Sequence, residues 1–459
     1  MKFEKDGLNL LREAVEHMES GFSHLPDVET QVDITALRDV LMEVAGRMQD
    51  NYPYFHPYYA GQMLKPPHPV ARLAYMLAMW VNPNNHALDG GRASSRMEKD
   101  AVAELARMFG WETHLGHLTS GGTMANLESL WVSGKLNPGK KVVASVQAHY
   151  THSRISDVLK LEFEAIPCDN RARMDIDALE KRLKKGDVGT VVATIGTTGT
   201  GSVDPLPDIL VLREKYGFRL HADAAYGGYY VLVDNLAEET AATYRRLDEV
   251  DSIVIDPHKH GLQPYGCGCV LFKDPAVGTL YKHDSPYTYF SSSELHLGEI
   301  SLECSRAGAS AVALWATQRL LPMTHEGEFA RGLASCREAA LLLYERLRGD
   351  ARFLTMFAPE LDIVIFAPRA GKSEDISRMS KALFDEAAAN DLHLALFSYP
   401  SRLLRDAWPG VVFDGETVSC LRSCLMKPEH LEWGDRIWGL LGTAMDAVAQ
   451  QYRQHTPMV

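Results

Sequence analysis

Strand-like and helix-like segments alternate along the chain from about residue 120 to residue 272. Short apolar runs rich in β-branched residues are followed by stretches whose apolar residues recur every three or four positions. Parallel strands need long crossover connections, usually helices, so the alternation predicts an α/β fold with a mainly parallel sheet covered on both faces. The strands predicted in this part are residues 141–146, 190–195, 219–223, 252–255 and 268–272.

The order of segments changes near Pro322. Beyond it the pattern reads helix, strand, helix, strand, strand and a final helix, which favours a smaller α+β domain. Residues 8–48 have helical apolar spacing and predict an N-terminal arm that packs on a partner or a neighbouring domain. The sequence therefore predicts an arm and loop at 1–55, a large domain at 56–322 and a C-terminal domain at 323–459.

The charge balance and the cysteines limit the class of protein. The 459 residues include 60 acidic and 47 basic side chains, and this net charge of -13 argues against nucleic acid as a partner. The charged start lacks the apolar core of a signal peptide, and no apolar run of about 18 residues predicts a membrane span. The seven cysteines show no paired CxxC spacing, so we expect no metal site and reduced thiols in the cytoplasm.

A glycine-rich segment, Thr119-Ser-Gly-Gly-Thr-Met-Ala-Asn126, precedes a helical stretch. Small residues let backbone N–H groups approach an anion closely, and the N-terminus of the following helix adds partial positive charge. Gly121, Gly122 and Thr123 are therefore candidates for binding a phosphate. A purely structural entry into the helix is the alternative.

A lysine follows the predicted strand 252–255 in the segment Asp256-Pro-His-Lys-His-Gly261. A lysine amine forms an imine with an aldehyde when its site is desolvated. The ordinary alternative for Lys259 is a solvated surface charge. The two flanking histidines, together with an aspartate at the end of the preceding strand, favour an aldehyde-binding lysine instead.

That aspartate is Asp223, in His221-Ala-Asp-Ala-Ala225. A carboxylate at this place can keep the pyridine nitrogen of pyridoxal phosphate protonated, which makes the ring an electron sink.

A fourth segment, Gln147-Ala-His-Tyr-Thr-His152, also follows a strand. An imidazole there can stack on the cofactor ring, and His149 is preferred over His152 because it lies nearer the strand end.

These segments resemble one family of enzymes. Ser-Gly-Gly-Thr-Met-Ala-Asn, Ala-His, His-Ala-Asp-Ala-Ala-Tyr-Gly-Gly and Asp-Pro-His-Lys stand in the order and approximate spacing of the group II pyridoxal-phosphate decarboxylases. The short archaeal-type tyrosine/aspartate decarboxylases look most similar. The resemblance covers residues 50–320 well. It implies an aspartate-aminotransferase-like fold (fold type I) with a seven-stranded sheet, and decarboxylation of an amino acid by a pyridoxal-phosphate-dependent carboxy-lyase.

The resemblance also implies roles for residues around the cofactor. Lys259 would carry pyridoxal phosphate as a Schiff base, Asp223 would pair with the ring nitrogen, and His149 would stack on the ring. Thr198 would approach the ring's phenolic oxygen or the substrate carboxylate, with a simple turn residue as the alternative. The other implied cofactor contacts are Gly121, Gly122, Thr123 and His258 at the phosphate and Ala225 against the ring.

Members of this family are homodimers whose active sites lie at the subunit interface. The resemblance implies the same here, with Ser305 reaching the neighbouring subunit's phosphate. A tyrosine from a mobile loop of the partner would protonate the substrate carbon. Residues 281–297 resemble that loop, and the sequence does not choose between Tyr287 and Tyr289.

Substrate identity stays open at this stage. The segment containing Tyr58 and Tyr59 resembles the region that lines the family's substrate pocket, although Tyr59-Ala60 replaces the usual Pro-Thr pair. Arg422 stands where fold relatives bind a substrate carboxylate, and a surface ion pair is its alternative. We expect an L-amino acid, aromatic (tyrosine, tryptophan or phenylalanine) or acidic.

Three other functions fit some of the same residues. A carbon–carbon lyase of the sphingosine-phosphate-lyase type shares the Ser-Arg-x-Gly segment and the aspartate–lysine pair, and an aldehyde synthase shares the first chemical step. A non-catalytic binding protein would not need Lys259, Asp223 and His149 together.

Overall fold

The computed structural model describes residues 5–28, 32–282 and 297–455. Its helices are α1 (Lys5–Ser20), α2 (Ile34–Met48), α3 (Pro69–Met79), α4 (Arg92–Met108), α5 (Gly122–Leu136), α6 (Thr151–Val158), α7 (Ile176–Leu183), α8 (Leu206–Tyr216), α9 (Glu238–Tyr244), α10 (Gly308–Leu320), α11 (Glu328–Gly349), α12 (Ser373–Ala389), α13 (Ser401–Leu404), α14 (Glu429–Glu432) and α15 (Gly434–His455). Its strands are β1 (Leu115–Thr119), β2 (Lys141–Ser145), β3 (Phe163–Ile166), β4 (Val188–Thr194), β5 (Arg219–Asp223), β6 (Ser252–Ile255), β7 (Gly268–Phe272), β8 (Phe353–Thr355), β9 (Ile363–Pro368), β10 (Ala395–Pro400) and β11 (Thr417–Cys424).

The first seven strands form one sheet in the order β1-β7-β6-β5-β4-β2-β3. Strands β1 to β6 run in the same direction, and β7 lies antiparallel between β1 and β6. Every residue of β4, β6 and β7 is buried, because helices cover the sheet. The predicted seven-stranded, mainly parallel sheet is therefore confirmed.

The sequence pattern did not predict two strands of this sheet, β1 and β3. In β1 a glycine and a histidine interrupt the apolar run, and the buried His117 ring is instead paired with Glu128 at 2.9 Å. Strand β3 is a short edge strand with only its last residue buried, so it carries little apolar signal.

The segment Asp177-Ala-Leu-Glu180 resembles a capping box in the sequence and predicts a helix start at Asp177. In the structure α7 instead begins at Ile176, and Asp177 lies in its first turn. Asp175 is the N-cap, and its carboxylate accepts a hydrogen bond of 2.9 Å from the backbone N–H of Ala178. Asp177 is the acidic residue that stabilises the positive end of the helix dipole.

The last four strands form a second sheet, antiparallel throughout, in the order β10-β11-β9-β8. Helix α12 packs on β11 and β9, and α15 packs on α12. The segment around residue 60 also belongs here, because Cys424 donates its backbone N–H to the carbonyl of Ala60 at 2.7 Å. The predicted division into three domains remains a prediction.

The N-terminal arm consists of α1 and α2. Helix α1 contacts α3, whereas α2 buries none of its residues. Within the described ranges, no helix combines the length and apolar character needed to cross a membrane.

The buried carboxylate of Asp362 joins the two sheets. It accepts a hydrogen bond of 2.6 Å from the Tyr226 hydroxyl and lies 2.8 Å from Nε2 of His260. Both partners follow strands of the first sheet, while Asp362 directly precedes β9. Burial opposes the charge, but His260 and the tyrosine hydroxyl outweigh it and hold the pKa of Asp362 below its usual range.

Replacing this carboxylate should destabilise the whole chain. In Asp362→Ala the Tyr226 hydroxyl and the His260 ring are left buried without their acceptor, and we expect a loss of about 3–5 kcal/mol in the free energy of unfolding. Urea unfolding followed by circular dichroism measures this. The control Asp435→Ala removes the carboxylate of an exposed ion pair with Arg346 and should change stability by less than about 1 kcal/mol. Equal urea midpoints for the two variants would contradict the joining role of Asp362.

Candidate active site

A cavity of about 300 Å³ opens at the carboxyl ends of the parallel strands. The segments that line it follow β1, β2, β4, β5 and β6, which is where ligands bind in open α/β sheets. Nine of the residues predicted for the site line this cavity: Gly121, Gly122, Thr123, His149, Thr198, Asp223, Ala225, His258 and Lys259. The four sequence segments therefore meet in one place.

Lys259 places its amine inside this cavity. Its Nζ lies 3.1 Å from Oδ2 of Asp256, which stands three residues earlier in the same turn after β6. The second carboxylate oxygen of Asp256 is buried without a partner in the described chain. The sequence reading gave Asp256 no role, although its place in the lysine segment was the available signal.

Asp223 ends β5 and is almost fully buried. Its Oδ2 lies 2.8 Å from Nε2 of His152, and its Oδ1 accepts a hydrogen bond of 3.3 Å from the backbone N–H of Ala225. Burial alone would raise the pKa of Asp223. The hydrogen bond from His152 and the charges of His152, His221 and Lys259 more than offset burial and hold this pKa well below its usual range.

The sequence indicates His152 only as the less favoured of two candidates, with His149, for stacking on the cofactor ring. The structure separates the two rings, since His149 lines the cavity while His152 is buried behind Asp223. Burial lowers the pKa of His149, so its ring is neutral at neutral pH. A neutral flat ring is therefore exposed to the cavity, and a second imidazole supports the carboxylate.

The glycine-rich segment forms the N-terminus of α5 at one side of the cavity. A side chain is excluded there, because a Cβ on Gly122 would lie 2.7 Å from Oδ2 of Asp256. Gly268 of β7 lets the loop approach, since its Cβ would lie 2.5 Å from the carbonyl carbon of Gly121. The first N–H groups of a helix have no acceptor within the helix, so this cradle suits an anion.

A further residue of this segment was missed. Asn126 lines the cavity, and its side-chain oxygen lies 2.8 Å from Nε2 of the buried His221. His221 is also bonded through Nδ1 to the hydroxyls of Ser129 and Ser252, both at 2.9 Å. This network joins the α5 segment to the strand that ends in Asp223.

Arg422 lies just outside the cavity. One of its terminal nitrogens donates a hydrogen bond of 2.8 Å to the carbonyl of Thr198, and the other is bonded to the side chain of Gln62. Arg422 is buried, so the alternative of a surface ion pair is wrong. Its Nε is buried without a partner among the described residues.

Among the described residues, Tyr58, Tyr59 and Ser305 do not line this cavity. Tyr58 packs edge-on against Trp433 with ring centres 5.3 Å apart, and Tyr59 packs edge-on against Tyr54 at 4.9 Å. The hydroxyl of Ser305 accepts a hydrogen bond of 3.1 Å from Asn84. Tyr287 and Tyr289 lie outside the described residues.

The residues of the cavity fit pyridoxal phosphate. The Lys259 amine suits the aldehyde of the cofactor, and the buried, ionised Asp223 suits its pyridinium nitrogen. The flat ring of His149 suits the face of the cofactor ring. The phosphate needs backbone N–H groups without side chains in the way, which the start of α5 presents. His258 borders the same loop, and burial lowers the pKa of its ring.

Comparison with known proteins agrees with this cavity. Residues 16–369 match the family model described as the pyridoxal-dependent decarboxylase conserved domain, so the chain belongs to this family. The L-tyrosine decarboxylase of Enterococcus faecium is 31% identical, over 64% of this chain and 66% of that protein. The L-aspartate decarboxylase of Thermococcus kodakarensis is 29% identical, over 75% of this chain and 87% of that protein.

Solved structures agree on the fold. The crystal structure of Oryza sativa TDC with PLP and tryptamine superposes with a TM-score of 0.77 at 18% identity, covering 97% of this chain and 99% of that one. The chain spans about two thirds of the length of the Enterococcus faecium relative. The predicted family, fold type, cofactor and enzyme class are confirmed: a pyridoxal-phosphate-dependent carboxy-lyase of the amino-acid decarboxylase family.

The close approach of Gly122 to Asp256 gives a test of the phosphate cradle. In Gly122→Ala the added methyl group would force the loop away from Asp256, and we expect the Kd for pyridoxal phosphate to rise at least tenfold, about 1.4 kcal/mol. Fluorescence titration of the apoenzyme measures the Kd. The control Gly439→Ala adds a methyl group in open space on α15 and should leave the Kd unchanged. An unaltered Kd in Gly122→Ala would show that the phosphate lies elsewhere.

Proposed function

We propose that the protein decarboxylates an L-amino acid to the corresponding amine and carbon dioxide, and that the Lys259 amine would hold the aldehyde of pyridoxal phosphate. The observation that carries the proposal is the meeting of three groups in one cavity. These are the Lys259 amine, the ionised Asp223 carboxylate and the neutral His149 ring. Each group lies at the end of a different strand. Each also suits a different part of the cofactor: the aldehyde, the ring nitrogen or the ring face.

The residues of the chain divide the work between them. Pyridoxal phosphate, when bound, accepts the electron pair left by the departing carboxylate. Asp223, kept ionised by His152, would hold the proton on the ring nitrogen, and His149 would fix the plane of the ring. Gly121, Gly122 and Thr123 would hold the phosphate, so that the reacting end is oriented toward Lys259.

Arg422 and Thr198 are proposed to act on the substrate side of the cavity. The hydrogen bond from Arg422 to the carbonyl of Thr198, a residue of the cavity lining, supports this proposal. Such a donor could orient a substrate carboxylate. Tyr58 and Tyr59 stay predicted substrate contacts, and either Tyr287 or Tyr289 stays the predicted proton donor to the substrate carbon.

The substrate class is proposed from the named relatives. One of them is an L-tyrosine decarboxylase and another is an L-aspartate decarboxylase. We therefore expect the aromatic amino acids, tyrosine first, and the acidic amino acids as the second class. The aromatic side chains of the 52–59 segment are engaged with one another in the structure, so they do not decide between these classes.

A panel of L-amino acids tests this function. Tyrosine, tryptophan, phenylalanine, aspartate and glutamate are incubated with the holoenzyme, and carbon dioxide and amine are measured. We expect one class to yield equal amounts of both products, and Lys259→Ala to lose the activity and the yellow colour because no imine can form. The control Lys273→Ala removes an exposed lysine that donates to the Asp248 carbonyl and should retain activity.

Other outcomes of the same panel point elsewhere. Aldehyde in place of amine would favour an aldehyde synthase. Cleavage of a phosphorylated amino alcohol, without carbon dioxide from any amino acid, would favour a carbon–carbon lyase and contradict the proposal.

We also propose a homodimer, supported by the apolar seam of α2. Five large apolar residues recur at alternating spacings of three and four, and all are exposed: Ile34, Leu37, Leu41, Val44 and Met48. This spacing is typical of a helix that packs along another helix. A second copy of the chain would bury the seam.

The described cysteines are all free and six of them are buried, which supports a reducing, cytoplasmic setting.

A matched pair of substitutions tests the seam. Leu41→Lys places a charge within the seam and should shift the molar mass in solution from twice 51.0 kDa toward 51.0 kDa. The control Asp39→Lys introduces the same side chain on the opposite side of α2 and should leave the mass unchanged. Light scattering coupled to size-exclusion chromatography measures both. A dimer that survives Leu41→Lys would place the interface elsewhere.

A further inference from the structure

A second and larger cavity, of about 470 Å³, lies apart from the active site. It is enclosed by the segment from Lys65 to Pro69, the first turns of α11 and the segment 427–429. The two cavities share no lining residue. The function proposed above uses no residue of this second cavity.

Two lysines stand side by side in its wall. Lys427 is only 3% exposed, and its Nζ donates hydrogen bonds to the carbonyls of Tyr59 at 2.7 Å and Leu64 at 3.4 Å. Lys65 is half-buried, and its Nζ donates one hydrogen bond of 3.1 Å to the carbonyl of Met426. Burial, followed by the charge of Lys65, lowers the pKa of Lys427 to about 8.

Neither amine has a carboxylate partner in the described chain, where no carboxylate oxygen lies within 4.0 Å of them. Glu328 and Glu429 line the same cavity but stay beyond that distance. Buried charges in proteins are normally paired, because carbonyl dipoles alone compensate an ammonium group incompletely. The charge of Lys65 also disfavours the charge on Lys427, so an anion bound by both amines would stabilise the pair.

The hydrogen-bond inventory leaves room for such an anion. Each ammonium group has three N–H donors, six for the pair. Lys427 uses two and Lys65 uses one, so three of the six donors have no acceptor in the described chain. A carboxylate has two oxygens with about four acceptor positions, so it can accept hydrogen bonds from all three of these free N–H donors.

The rest of the lining has a large apolar part. Its side chains are those of Phe55, Leu262, Leu321, Phe329 and Leu333, together with the prolines of the 66–69 segment. Ligand cavities of this size characteristically combine mostly apolar walls with a few polar groups that fix orientation. The ligand should therefore have an apolar body as well as a negative charge.

We infer that this cavity is a second ligand site, which binds a small organic acid. The carboxylate is held between the ammonium groups of Lys65 and Lys427, and the apolar body lies against Leu262, Leu321 and Leu333. The site is separate from the active site, so its ligand binds to an enzyme whose cofactor is already in place.

Benzoate is the probe, and benzyl alcohol is its uncharged counterpart. The holoenzyme is first treated with borohydride, which fixes the cofactor on Lys259 and keeps the probe out of the phosphate cradle. Calorimetry should then show saturable binding of benzoate and at least tenfold weaker binding of benzyl alcohol. If borohydride fails to fix the cofactor, the proposed role of Lys259 fails, and the comparison with a Lys65 variant still tests the second site because Lys65 lines only that cavity.

Two substitutions locate the binding. Lys65→Met keeps the apolar stem, removes a single carbonyl hydrogen bond, and should weaken benzoate binding at least tenfold. The control Lys184→Met removes a lysine that is 60% exposed and should leave binding unchanged. Benzoate binding that is equal in both variants, or absent from the unmodified chain, would overturn the inference.

A measurement without substitutions guards against a variant that fails to fold. Lysines are acetylated with acetic anhydride with and without benzoate, and peptide mass spectrometry gives the modified fraction at each position. Benzoate should protect Lys65 and Lys427 at least severalfold and leave Lys184 unaffected. Unchanged acetylation of Lys65 and Lys427 at saturating benzoate would place the ligand elsewhere.

Discussion

The ionised carboxylate of Asp223 is the interaction on which the active site depends. A carboxyl group this deeply buried would ordinarily take up a proton, since desolvation penalises its charge. The chain prevents this by surrounding it with imidazoles, of which His152 bonds directly at 2.8 Å. His221, two residues earlier on the same strand face, is in turn bonded to Asn126 of the anion-binding segment. The charge that a ring nitrogen needs is therefore built into the core before any cofactor arrives.

The second constraint is the attachment of the segment around residue 60 to the C-terminal part of the chain. Three basic side chains form this attachment by hydrogen bonds. Lys427 donates to the carbonyls of Tyr59 and Leu64. Lys65 donates to the carbonyl of Met426, and Arg422 donates to the side chain of Gln62. Arg422 also reaches the carbonyl of Thr198 in the cavity wall. The same segment therefore lines the second cavity and is linked to the wall of the first through Gln62, Arg422 and Thr198.

The sequence predicted the parts that depend on local order along the chain. Strands β5, β6 and β7 have the predicted bounds, because each is a short, mostly buried run whose length is visible without any tertiary information. The site segments were found for a related reason. In a parallel sheet the carboxyl ends of successive strands converge, so a chemical group after each strand is enough to predict a shared cavity. That is why Lys259, Asp223 and His149 meet as expected.

What escaped prediction depends on partners distant in the sequence. His152 and Asp256 are supporting groups whose role appears only when Asp223 and Lys259 are placed beside them, and the only local signal for either is that Asp256 belongs to the lysine segment. Tyr58 and Tyr59 were aligned with a pocket, yet in this chain their rings are held by other aromatic side chains. Arg422 shows the same dependence from the other side. Its burial, which excludes the surface ion pair, comes from contacts with residues more than two hundred positions earlier. The catalytic side of the cavity is thus encoded locally, strand by strand, while the substrate side is assembled from distant segments, and substrate identity is for that reason the harder property to infer from sequence.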